Sequence, residues 1–403
     1  MTEPVHAFAQ SLPADALPAY IYDLAALREH ARHTRSVLPD RVELYYAAKA
    51  NPEQKILTAL AAYVDGYEVS SGGELAHVSA ALPDHPLAFG GPGKTPAEIE
   101  AALAAGVDRF HVESEHELRV LGYLAARSAR GTDVTQGPVR VLLRFNLAWP
   151  SGLTPSVALA MGGGPSPFGL DPTQADAMMR QFTDSSHPAL ELLGVHAHLG
   201  SGLAAPEQLA VARSTVEWAE ALFARHGVAL REVNVGGGMH VDYTDPCARF
   251  DWTEFGAGLA RVLAERPNLR IRIEPGRALT AYCGWYAAEL LDVKTSHGKH
   301  FAVVRGGTHH LRTPAAKGHD QPCTVLPVED WPHPWPRPVG GGESVTFVGQ
   351  LCTPKDVLAR NVRAPELRAG DRVAFAMAGA YAWNISHHEF LMHPAPEVHF
   401  LGG

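Results

Sequence analysis

Apolar and polar positions repeat in one order along residues 42–277. A short run rich in β-branched and aromatic residues is followed by a loop, and then by an amphipathic segment rich in alanine and leucine. The order occurs eight times, with the β-rich runs at VELYYAAKAN, VDGYEVSS, HPLAFGGPGK, VDRFHVESE, VRVLLRFNL, LELLGVHAHLGSG, LREVNVGGG and RIRIEPGR. Strands that alternate with helices pair in parallel. Eight units predict a closed (β/α)8 barrel of the TIM type, whereas an open doubly wound sheet would not need eight.

Capping motifs predict where several of the intervening helices begin. Thr95, followed by Pro96 and Glu98 in TPAE, has the order of a capping box. SEHE and SGGE place Ser114 and Ser71 in the same position, three residues before a glutamate. Each motif comes soon after a β-rich run, which agrees with the alternating order.

The pattern changes after residue 277. Short β-like runs such as HFAVVRG, ESVTFVGQL and DRVAFAMAGAY are separated by turn-rich and proline-rich segments. This pattern is typical of a mainly antiparallel β domain, and LPAYIYDLAAL near the N-terminus is a candidate for an extra strand of it. We therefore expect an α/β protein with two domains. These are a (β/α)8 barrel at 28–277 and a β-sandwich or barrel-like domain from 1–27 and 278–403.

Composition and charge exclude several classes of protein. A chain of 403 residues exceeds what one hydrophobic core usually supports. A formal net charge of −9 gives no reason to expect binding to nucleic acid or to an anionic membrane. The N-terminus lacks the pattern of a secretory signal, and no apolar stretch is long enough for a bilayer. The four cysteines show neither zinc-site nor disulfide spacing. We expect a cytoplasmic protein.

Candidate chemistry lies at the carboxyl ends of the predicted strands, where TIM barrels carry their active sites. Lys49 ends the first strand, although lysines usually lie on the surface. His196 and His198 lie two apart on the sixth strand and so share a face. His-x-His occurs in zinc sites, but no carboxylate or cysteine follows in a familiar third-ligand pattern, so we expect no metal. Glu274 ends the eighth strand.

The glycine triplet Gly236–Gly238 ends the seventh strand and is a candidate phosphate site. Glycines let the backbone approach an anion and offer it several N–H groups. Alone, the triplet could be a flexible turn, but phosphate commonly binds after strands seven and eight of such barrels. An amine, an imidazole, a phosphate loop and a carboxylate suit pyridoxal 5'-phosphate (PLP), with the lysine as its Schiff base.

Seven motifs resemble those of the fold-type III PLP-dependent amino acid decarboxylases, which include ornithine and diaminopimelate decarboxylases. YYAAKAN, SSGGEL, HAHLGSG, NVGGG, EPGR, LCTPKD and GAY occur in the family's order and cover nearly the whole chain. The resemblance implies a barrel with a β domain, PLP as cofactor, and a homodimer with shared active sites.

Residue roles follow from the resemblance, motif by motif. Lys49 matches the Schiff-base lysine, His198 the histidine that stacks on the cofactor ring, and Glu274 the carboxylate that faces the pyridine nitrogen. The residues that match the phosphate-binding positions are Ser201, Gly236, Gly237, Gly238, Gly276 and Arg277. Cys352 resembles the thiol that acts at Cα after carbon dioxide leaves, and Tyr381 a tyrosine that reaches the cofactor. A glutamate beside the ring nitrogen favours its protonation, which suits decarboxylation.

Several assignments have a plainer alternative. Glu74 is better explained as a capping residue than as a cofactor contact, and Glu68 is either a ring contact or part of a rim salt bridge. Cys352 could be an ordinary buried thiol. Asp356, a candidate substrate contact, could simply close a turn.

The position after the cysteine bears on the substrate. Relatives that produce diamines carry an acidic residue there to receive a distal ammonium, but this chain has Thr353. The stretch GGTHHLRTPAAKGHD instead supplies donors and cations suited to carboxylates, or is merely a polar loop. Its candidate residues are His309, His310, Arg312, Lys317 and His319.

This stretch and the tail GAYAWNISHHEFLMHPAPEVHF resemble the branch of the family that serves siderophore synthesis. The resemblance implies that citryl-L-2,3-diaminopropionate is converted to citryl-diaminoethane, on the route to staphyloferrin B. One alternative is a decarboxylase for diaminopimelate or another amino acid. The other is a catalytically silent homologue that binds partners, against which the joint presence of Lys49 and Cys352 argues.

Overall fold

The computed structural model describes residues 1–128, 137–153 and 159–403 and divides into two compact units. We call one the barrel unit; it contains His30–His240 and Phe250–Ala278. The other, the β unit, contains Met1–Glu29, Val241–Arg249 and Leu279–Gly403.

The strands and helices of the described residues are numbered here in chain order. The strands are β1 Ala19–Asp23, β2 Val42–Ala47, β3 Gly66–Val69, β4 Leu87–Phe89, β5 Arg109–Val112, β6 Val139–Arg144, β7 Leu159–Ala160, β8 Leu190–His196, β9 Gly200–Ser201, β10 Glu232–Asn234, β11 Arg270–Ile273, β12 Gly284–Ser296, β13 Lys299–Val304, β14 Cys323–Leu326, β15 Val339–Val348, β16 Val357–Arg368, β17 Arg372–Phe375 and β18 Glu397–Leu401. The helices are α1 Glu3–Ser11, α2 Leu24–Val37, α3 Gln54–Leu60, α4 Gly72–Ala81, α5 Pro96–Ala104, α6 Glu115–Arg127, α7 Ala175–Thr183, α8 Ala205–Arg225, α9 Trp252–Ala264, α10 Arg277–Thr280 and α11 Thr313–Lys317.

Eight parallel strands close into a barrel, as the eight β-rich runs predict. The strands of the ring are β2, β3, β4, β5, β6, β8, β10 and β11, one from each run. Pairing of Ile271 with Val42 joins the last strand to the first. The predicted (β/α)8 barrel is therefore confirmed, and it places all eight carboxyl ends of the strands at one end of the barrel.

Three helices of the barrel unit begin at the predicted caps. The Thr95 side chain accepts a hydrogen bond from the Glu98 backbone N–H, and the Glu98 carboxylate accepts one from the Thr95 backbone N–H, which completes the capping box. Ser71 and Ser114 cap α4 and α6 by accepting from the backbone N–H three residues ahead. Each such cap stabilises a helix by about 1 kcal/mol.

The β unit contains one eight-stranded, mostly antiparallel sheet. Its strand order is β14-β17-β12-β13-β15-β16, with β1 and β18 attached through β12. β1 pairs antiparallel with β12 and parallel with β18, so the N-terminal segment does add a strand to this sheet. Helix α1 covers it by packing Val5 and Ala9 into a buried cluster with Ile21, Trp285 and Ala374.

A network of charged residues lies inside the barrel unit, near the start of its strands. Arg272 is completely buried, and its guanidinium lies 2.6 Å from Glu43 Oε2, 3.3 Å from Glu232 Oε1 and 3.8 Å from the centre of the Tyr45 ring. Arg109 also pairs with Glu232, at 2.8 Å. The network occupies part of the barrel interior that aliphatic side chains fill in most TIM barrels.

Within the described ranges, none of the helices has both the length and the apolar character needed to cross a membrane.

Candidate active site

Lys49 follows β2 directly, in the short 3₁₀ turn Ala48–Ala50. Its Nζ donates to Glu68 Oε2 at 2.7 Å and lies 3.5 Å from Ser70 Oγ, whose hydroxyl donates to the other oxygen of Glu68. Burial opposes ionisation of Glu68, but the Lys49 charge and these hydrogen bonds outweigh it, so the pKa of Glu68 is below its usual value. The structure shows Glu68 as the salt-bridge partner of Lys49. The amine itself remains exposed and held in place.

The glycine triplet is a close-packed turn and not a loose one. Gly236 has a φ of +68°, and a Cβ built on it would lie 2.5 Å from His198 Nδ1. A Cβ on Gly237 would lie 2.3 Å from the Glu274 carbonyl oxygen, and one on Gly238 2.1 Å from the Gly200 carbonyl oxygen. Only glycine therefore fits at each position, and the turn brings together the ends of β8, β10 and β11.

His198 stands against this turn as a neutral ring. Burial, followed by the charges of Arg144 and Lys49, lowers the pKa of His198 to about 3. Among the described residues its Nδ1 has no hydrogen-bond partner. A neutral imidazole packed against a glycine turn can stack on a planar aromatic ligand.

Glu274 is a buried carboxyl with one fixed partner. It is 7% exposed, and Oε1 accepts a hydrogen bond of 2.7 Å from Asn234 Nδ2. Burial, with a contribution from the Glu68 charge, raises the pKa of Glu274 to about 7. Lys49 and Arg272 act in the opposite direction. Such a carboxyl gains free energy from any cationic partner that enters its pocket.

The titration of Glu274 predicts a pH dependence of folding in the cofactor-free protein. Its pKa rises from the usual 4.5 to about 7 on folding, so the folded state binds more protons between these values. The unfolding free energy of the wild type, relative to Glu274→Gln, is therefore expected to fall by about 3 kcal/mol from pH ~4.5 to ~8. Urea titrations of both proteins at several pH values measure this difference. A constant difference would contradict the raised pKa.

Sequence reasoning missed two polar residues that surround Glu274. His111 on β5 and Asn234 on β10 are completely buried. Asn234 Nδ2, the atom that donates to Glu274, also lies 3.3 Å from His111 Nε2. Both belong to barrel strands, and a polar residue in a run that is otherwise apolar is the pattern that could have identified them.

The other residues predicted to hold phosphate lie at the same ends of the strands. Ser201 belongs to β9, the short strand that follows β8, and Gly276 and Arg277 follow β11. Ser201 and Arg277 are partly exposed, whereas Gly276 is buried. The structure thus places the predicted site residues of the barrel unit at one end of the barrel, the end where its strands finish.

In the β unit, the predicted residues around the cysteine differ in exposure. Cys352 is exposed and reduced. Asp356 is 2% exposed, and its two carboxylate oxygens accept hydrogen bonds from the backbone N–H groups of Thr308 and Leu351 at 2.7 and 2.8 Å. These bonds give Asp356 the geometry of the turn-closing alternative, while Thr353, in the turn itself, is partly exposed.

The histidine-rich segment of the β unit is more buried than its sequence suggests. His309 and His310 are almost inaccessible, and burial lowers their pKa values to about 4 and about 3, so both rings are neutral. Arg312 is partly exposed, with NH1 2.9 Å from His387 Nδ1. The Lys317 side chain lies outside what the structure describes.

Tyr381 lies in a loop of the β unit and has a left-handed backbone, with a φ of +49°. Its carbonyl oxygen accepts a hydrogen bond from the Thr313 hydroxyl. A non-glycine residue in this region of φ is uncommon and often marks a functional position.

The groups of the barrel unit fit the PLP that the sequence predicts. Lys49 offers an exposed amine, and the triplet Gly236–Gly238 is a turn without side chains, whose backbone can approach an anion. His198 offers a neutral ring whose Nδ1 has no hydrogen-bond partner among the described residues. Glu274 supplies a buried carboxyl whose raised pKa calls for a cation such as a protonated pyridine. The charges of Lys49 and Glu68 both act on Glu274 and on His198, so these groups share one site.

Gly236→Ala is expected to weaken cofactor binding by about ten-fold or more, because the new Cβ displaces His198 and the turn loses its left-handed backbone. Gly227→Ala is the matched control: Gly227 has a φ of +65° but nothing within 4 Å of the added Cβ. Absorbance titration of the stripped proteins with PLP measures both affinities. Equal losses in the two variants would show that backbone strain alone is responsible.

The sequence is similar to those of known proteins. The family profile described as "Pyridoxal-dependent decarboxylase, pyridoxal binding domain" matches residues 24–281. A relative from Staphylococcus aureus (strain NCTC 8325 / PS 47), named 2-[(L-alanin-3-ylcarbamoyl)methyl]-2-hydroxybutanedioate decarboxylase, is 38% identical over 97% of this chain and 96% of its own length. The diaminopimelate decarboxylase of Actinosynnema pretiosum subsp. auranticum is 31% identical over 90% of this chain and 79% of its own length.

A solved structure shows the same architecture. The crystal structure of diaminopimelate decarboxylase from Helicobacter pylori, complexed with L-lysine, has a TM-score of 0.79 and 25% sequence identity. The match covers 95% of this chain and 90% of that one.

Proposed function

The chain belongs to the pyridoxal-dependent decarboxylases, and from this premise we propose that its substrate is citryl-L-2,3-diaminopropionate and its product citryl-diaminoethane. It is an enzyme, and PLP, the cofactor predicted from the sequence, is that of its family. The observation that carries the substrate is the 38% identity, over 97% of the chain, to the Staphylococcus aureus enzyme. The substrate in that enzyme's name is this same citryl conjugate.

The chemistry of the β unit supports a carboxylate-bearing substrate. Thr353 follows Cys352 and cannot give a distal ammonium a full counter-charge, so a lysine- or ornithine-like tail is poorly matched. Arg312, which is partly exposed, can bind a carboxylate of the citryl arm through two parallel hydrogen bonds. The structure argues against His310 as a substrate contact, because both of its ring nitrogens already lie 3.0 Å from protein oxygens, those of the Tyr286 hydroxyl and the Pro394 carbonyl. His309 is neutral, and we keep it in the proposal as a hydrogen-bond donor and not as a cation.

The residues of the barrel unit have separate parts in the proposal. PLP, when bound, supplies an electron sink for the bond that breaks at Cα. Lys49 would hold it covalently, Ser201, Gly276, Arg277 and the glycine triplet would hold its phosphate, and His198 would cover one face of its ring.

Proton positions complete the proposed mechanism. Lys49 must lose a proton to act as a nucleophile, and Glu68 Oε2, at 2.7 Å, is an acceptor within hydrogen-bond reach. Glu274 would stay ionised and face the pyridine nitrogen. Cys352, an exposed thiol, would return a proton to Cα after carbon dioxide leaves, and Tyr381 would contact the cofactor.

We include a homodimer and a cytoplasmic location in the proposal. The support for the dimer is the resemblance, in which the loop with the cysteine enters the neighbouring subunit's site. Mixing Lys49→Ala with Cys352→Ala protein after joint refolding tests it: mixed dimers with one intact shared site are expected to recover activity that neither variant has alone. A monomer at working concentration would contradict the proposal.

The substrate assignment is tested by measuring carbon dioxide release from citryl-diaminopropionate, meso-diaminopimelate, lysine and ornithine side by side. The citryl conjugate is expected to have the highest kcat/KM. A preference for diaminopimelate would overturn the substrate assignment in favour of the activity of the more distant relatives, and no release from any of the four would support the catalytically silent alternative.

Arg312→Gln is expected to raise KM for the citryl conjugate by about ten- to a hundred-fold, the effect of losing one charge-assisted hydrogen-bonded contact. The control is Arg363→Gln, which removes an arginine that is 75% exposed and belongs to the same unit. Steady-state kinetics of both variants measure the difference. An unchanged KM in Arg312→Gln would remove Arg312 from the proposed substrate site.

A further inference from the structure

Two buried histidines lie beside Glu274, and the proposed mechanism gives neither a part. His111 is completely buried on β5, and His196 ends β8 with 4% of its surface exposed. Their ring centroids are 4.4 Å apart, with an angle of 42° between the planes. His196 Nε2 lies 3.8 Å from Glu274 Oε2, and His111 Nε2 lies 3.7 Å from Oε1. The two rings therefore face different oxygens of one carboxyl group.

One of these oxygens, Oε1, already accepts a hydrogen bond from Asn234. Its Oδ1 accepts a hydrogen bond from the Gly236 backbone N–H at 2.8 Å, which sets the orientation of the amide. Its Nδ2 then donates to Glu274 Oε1 at 2.7 Å and lies 3.3 Å from His111 Nε2. That nitrogen of His111 faces a donor, so the proton of the neutral ring belongs on Nδ1. Neither contact of Asn234 involves the second oxygen of Glu274.

His196 has a donor to offer to the second oxygen. Within the described residues, neither of its ring nitrogens has a hydrogen-bond partner. A buried polar hydrogen without an acceptor costs about 1–3 kcal/mol. Shortening the 3.8 Å separation to an ordinary hydrogen bond requires a movement of about 1 Å. Glu274 Oε2 is thus an acceptor within reach of this ring.

The surroundings of Glu274 and His196 indicate that a neutral hydrogen-bond donor would stabilise the ionised form of Glu274. Burial and the Glu68 charge favour the neutral form of Glu274, against Lys49 and Arg272. Burial also lowers the pKa of His196 well below its usual value, and the positive charges of Arg144 and Lys49 act in the same direction. His196 therefore stays neutral, and a hydrogen bond from its N–H would favour the ionised carboxylate.

We propose that His196 is a positioning residue whose Nε2–H donates to Glu274 Oε2 and keeps Glu274 ionised and aligned with the cofactor ring nitrogen. The ring of His111, anchored through Asn234, holds the imidazole of His196 in this orientation. The inference rests on the proposed function, because it takes Glu274 as the partner of that nitrogen.

The test follows the protonation of the ring nitrogen itself in protein reconstituted with PLP that carries ¹⁵N in its ring. The variants are His196→Met, which fills the site without an N–H, and His196→Gln, whose amide N–H lies near the position of Nε2. His116→Gln, at an exposed histidine on α6, is the control. The ¹⁵N chemical shift and the cofactor absorbance are titrated from about pH 6 to about pH 10, a range that extends from the usual pKa of histidine to that of tyrosine.

The wild type and His116→Gln are expected to keep the ring nitrogen protonated to a higher pH than His196→Met. The midpoint in His196→Met is expected to be lower by about one pH unit or more, which is the size of one lost hydrogen bond to a charged group. His196→Gln is expected to restore most of the difference. Should His196→Met fail to fold, His196→Asn, whose amide ends short of the Nε2 position, replaces it.

Three results would overturn the inference. One is a ring nitrogen that titrates alike in the wild type and His196→Met; another is an equal shift in His196→Met and His196→Gln, which would reflect packing alone. The third is stoichiometric Zn²⁺ bound by the cofactor-free wild type and lost in His196→Met, since the imidazole would then be a ligand and not a donor. All three leave PLP binding and decarboxylation intact, whereas a wild type that does not bind PLP would overturn the proposed function first.

Discussion

Lys49→Ala is expected to lower kcat by about 10⁴-fold or more, because the site loses the one amine that the proposal assigns to covalent binding of PLP. Glu68 would lose the partner that its 2.7 Å hydrogen bond provides. The absorbance band of protein-bound PLP as a Schiff base is expected to disappear with the activity. Single-turnover assays and absorbance spectra of the reconstituted variant measure the two effects separately.

Lys55→Ala is the control for this variant, since it removes an exposed lysine of α3 from the same unit. It is expected to keep the absorbance band and the activity. Turnover by Lys49→Ala together with the same band would refute the assignment of Lys49, because another amine would then hold the cofactor.

Arg272→Ala is expected to destabilise the protein by about 3 to 5 kcal/mol, the range for removing one partner of a buried ion pair. The change leaves Glu43 and Glu232 inside the barrel unit without the guanidinium that lies 2.6 and 3.3 Å from their oxygens. It also removes the cation from the face of the Tyr45 ring. Urea unfolding monitored by circular dichroism measures the loss.

Arg270→Ala is the matched control, because Arg270 begins the same strand and also contacts Glu43, but its side chain is 58% exposed. Its loss is expected to stay below about 1 kcal/mol, as for other exposed ion pairs. The double variant Arg272→Met with Glu43→Gln is expected to lose less than Arg272→Met alone, since it leaves fewer uncompensated charges. If Arg272→Ala and Arg270→Ala lose the same free energy, the network is not the strong interaction that its burial indicates.

The barrel could be predicted from the sequence because the order of β-rich runs, loops and helix caps allows few arrangements other than parallel pairing. Each β-rich run ends in a loop with glycine or polar residues, and three helices begin at motifs that satisfy their first N–H groups, such as TPAE at Thr95. Parallel pairing then leaves few other arrangements for eight such units. Lys49 and Glu274 stand out for the same reason, as charged residues at the ends of apolar strands.

The ionic network could not be predicted because charged residues are ordinarily read as solvent-exposed. Glu43, Arg109 and Arg272 alternate with apolar residues along their strands, which is also the pattern of a strand with one face in water. Only the closed ring turns that face inward, and burial then depends on partners from distant strands, such as Glu232 for Arg109.

The burial of the histidine-rich segment of the β unit could not be predicted, for a related reason. The sequence of His309, His310 and Arg312 suggests an exposed basic loop. In the structure, both histidine rings are buried and neutral. Burial follows from contacts with segments far along the chain, such as the 3.0 Å contact of His310 Nε2 with the Pro394 carbonyl oxygen. Local sequence carries no information on such contacts.

The first strand of the chain completes a sheet whose other members are synthesised last. Tyr20 of β1 pairs with Tyr286 of β12 and Val398 of β18, so its hydrogen-bonding partners leave the ribosome on the order of ten seconds or more after it does. During translation β1 must therefore stay unpaired while the residues of the barrel emerge. An N-terminal fusion that engages β1 in this interval would be expected to lower the yield of native protein.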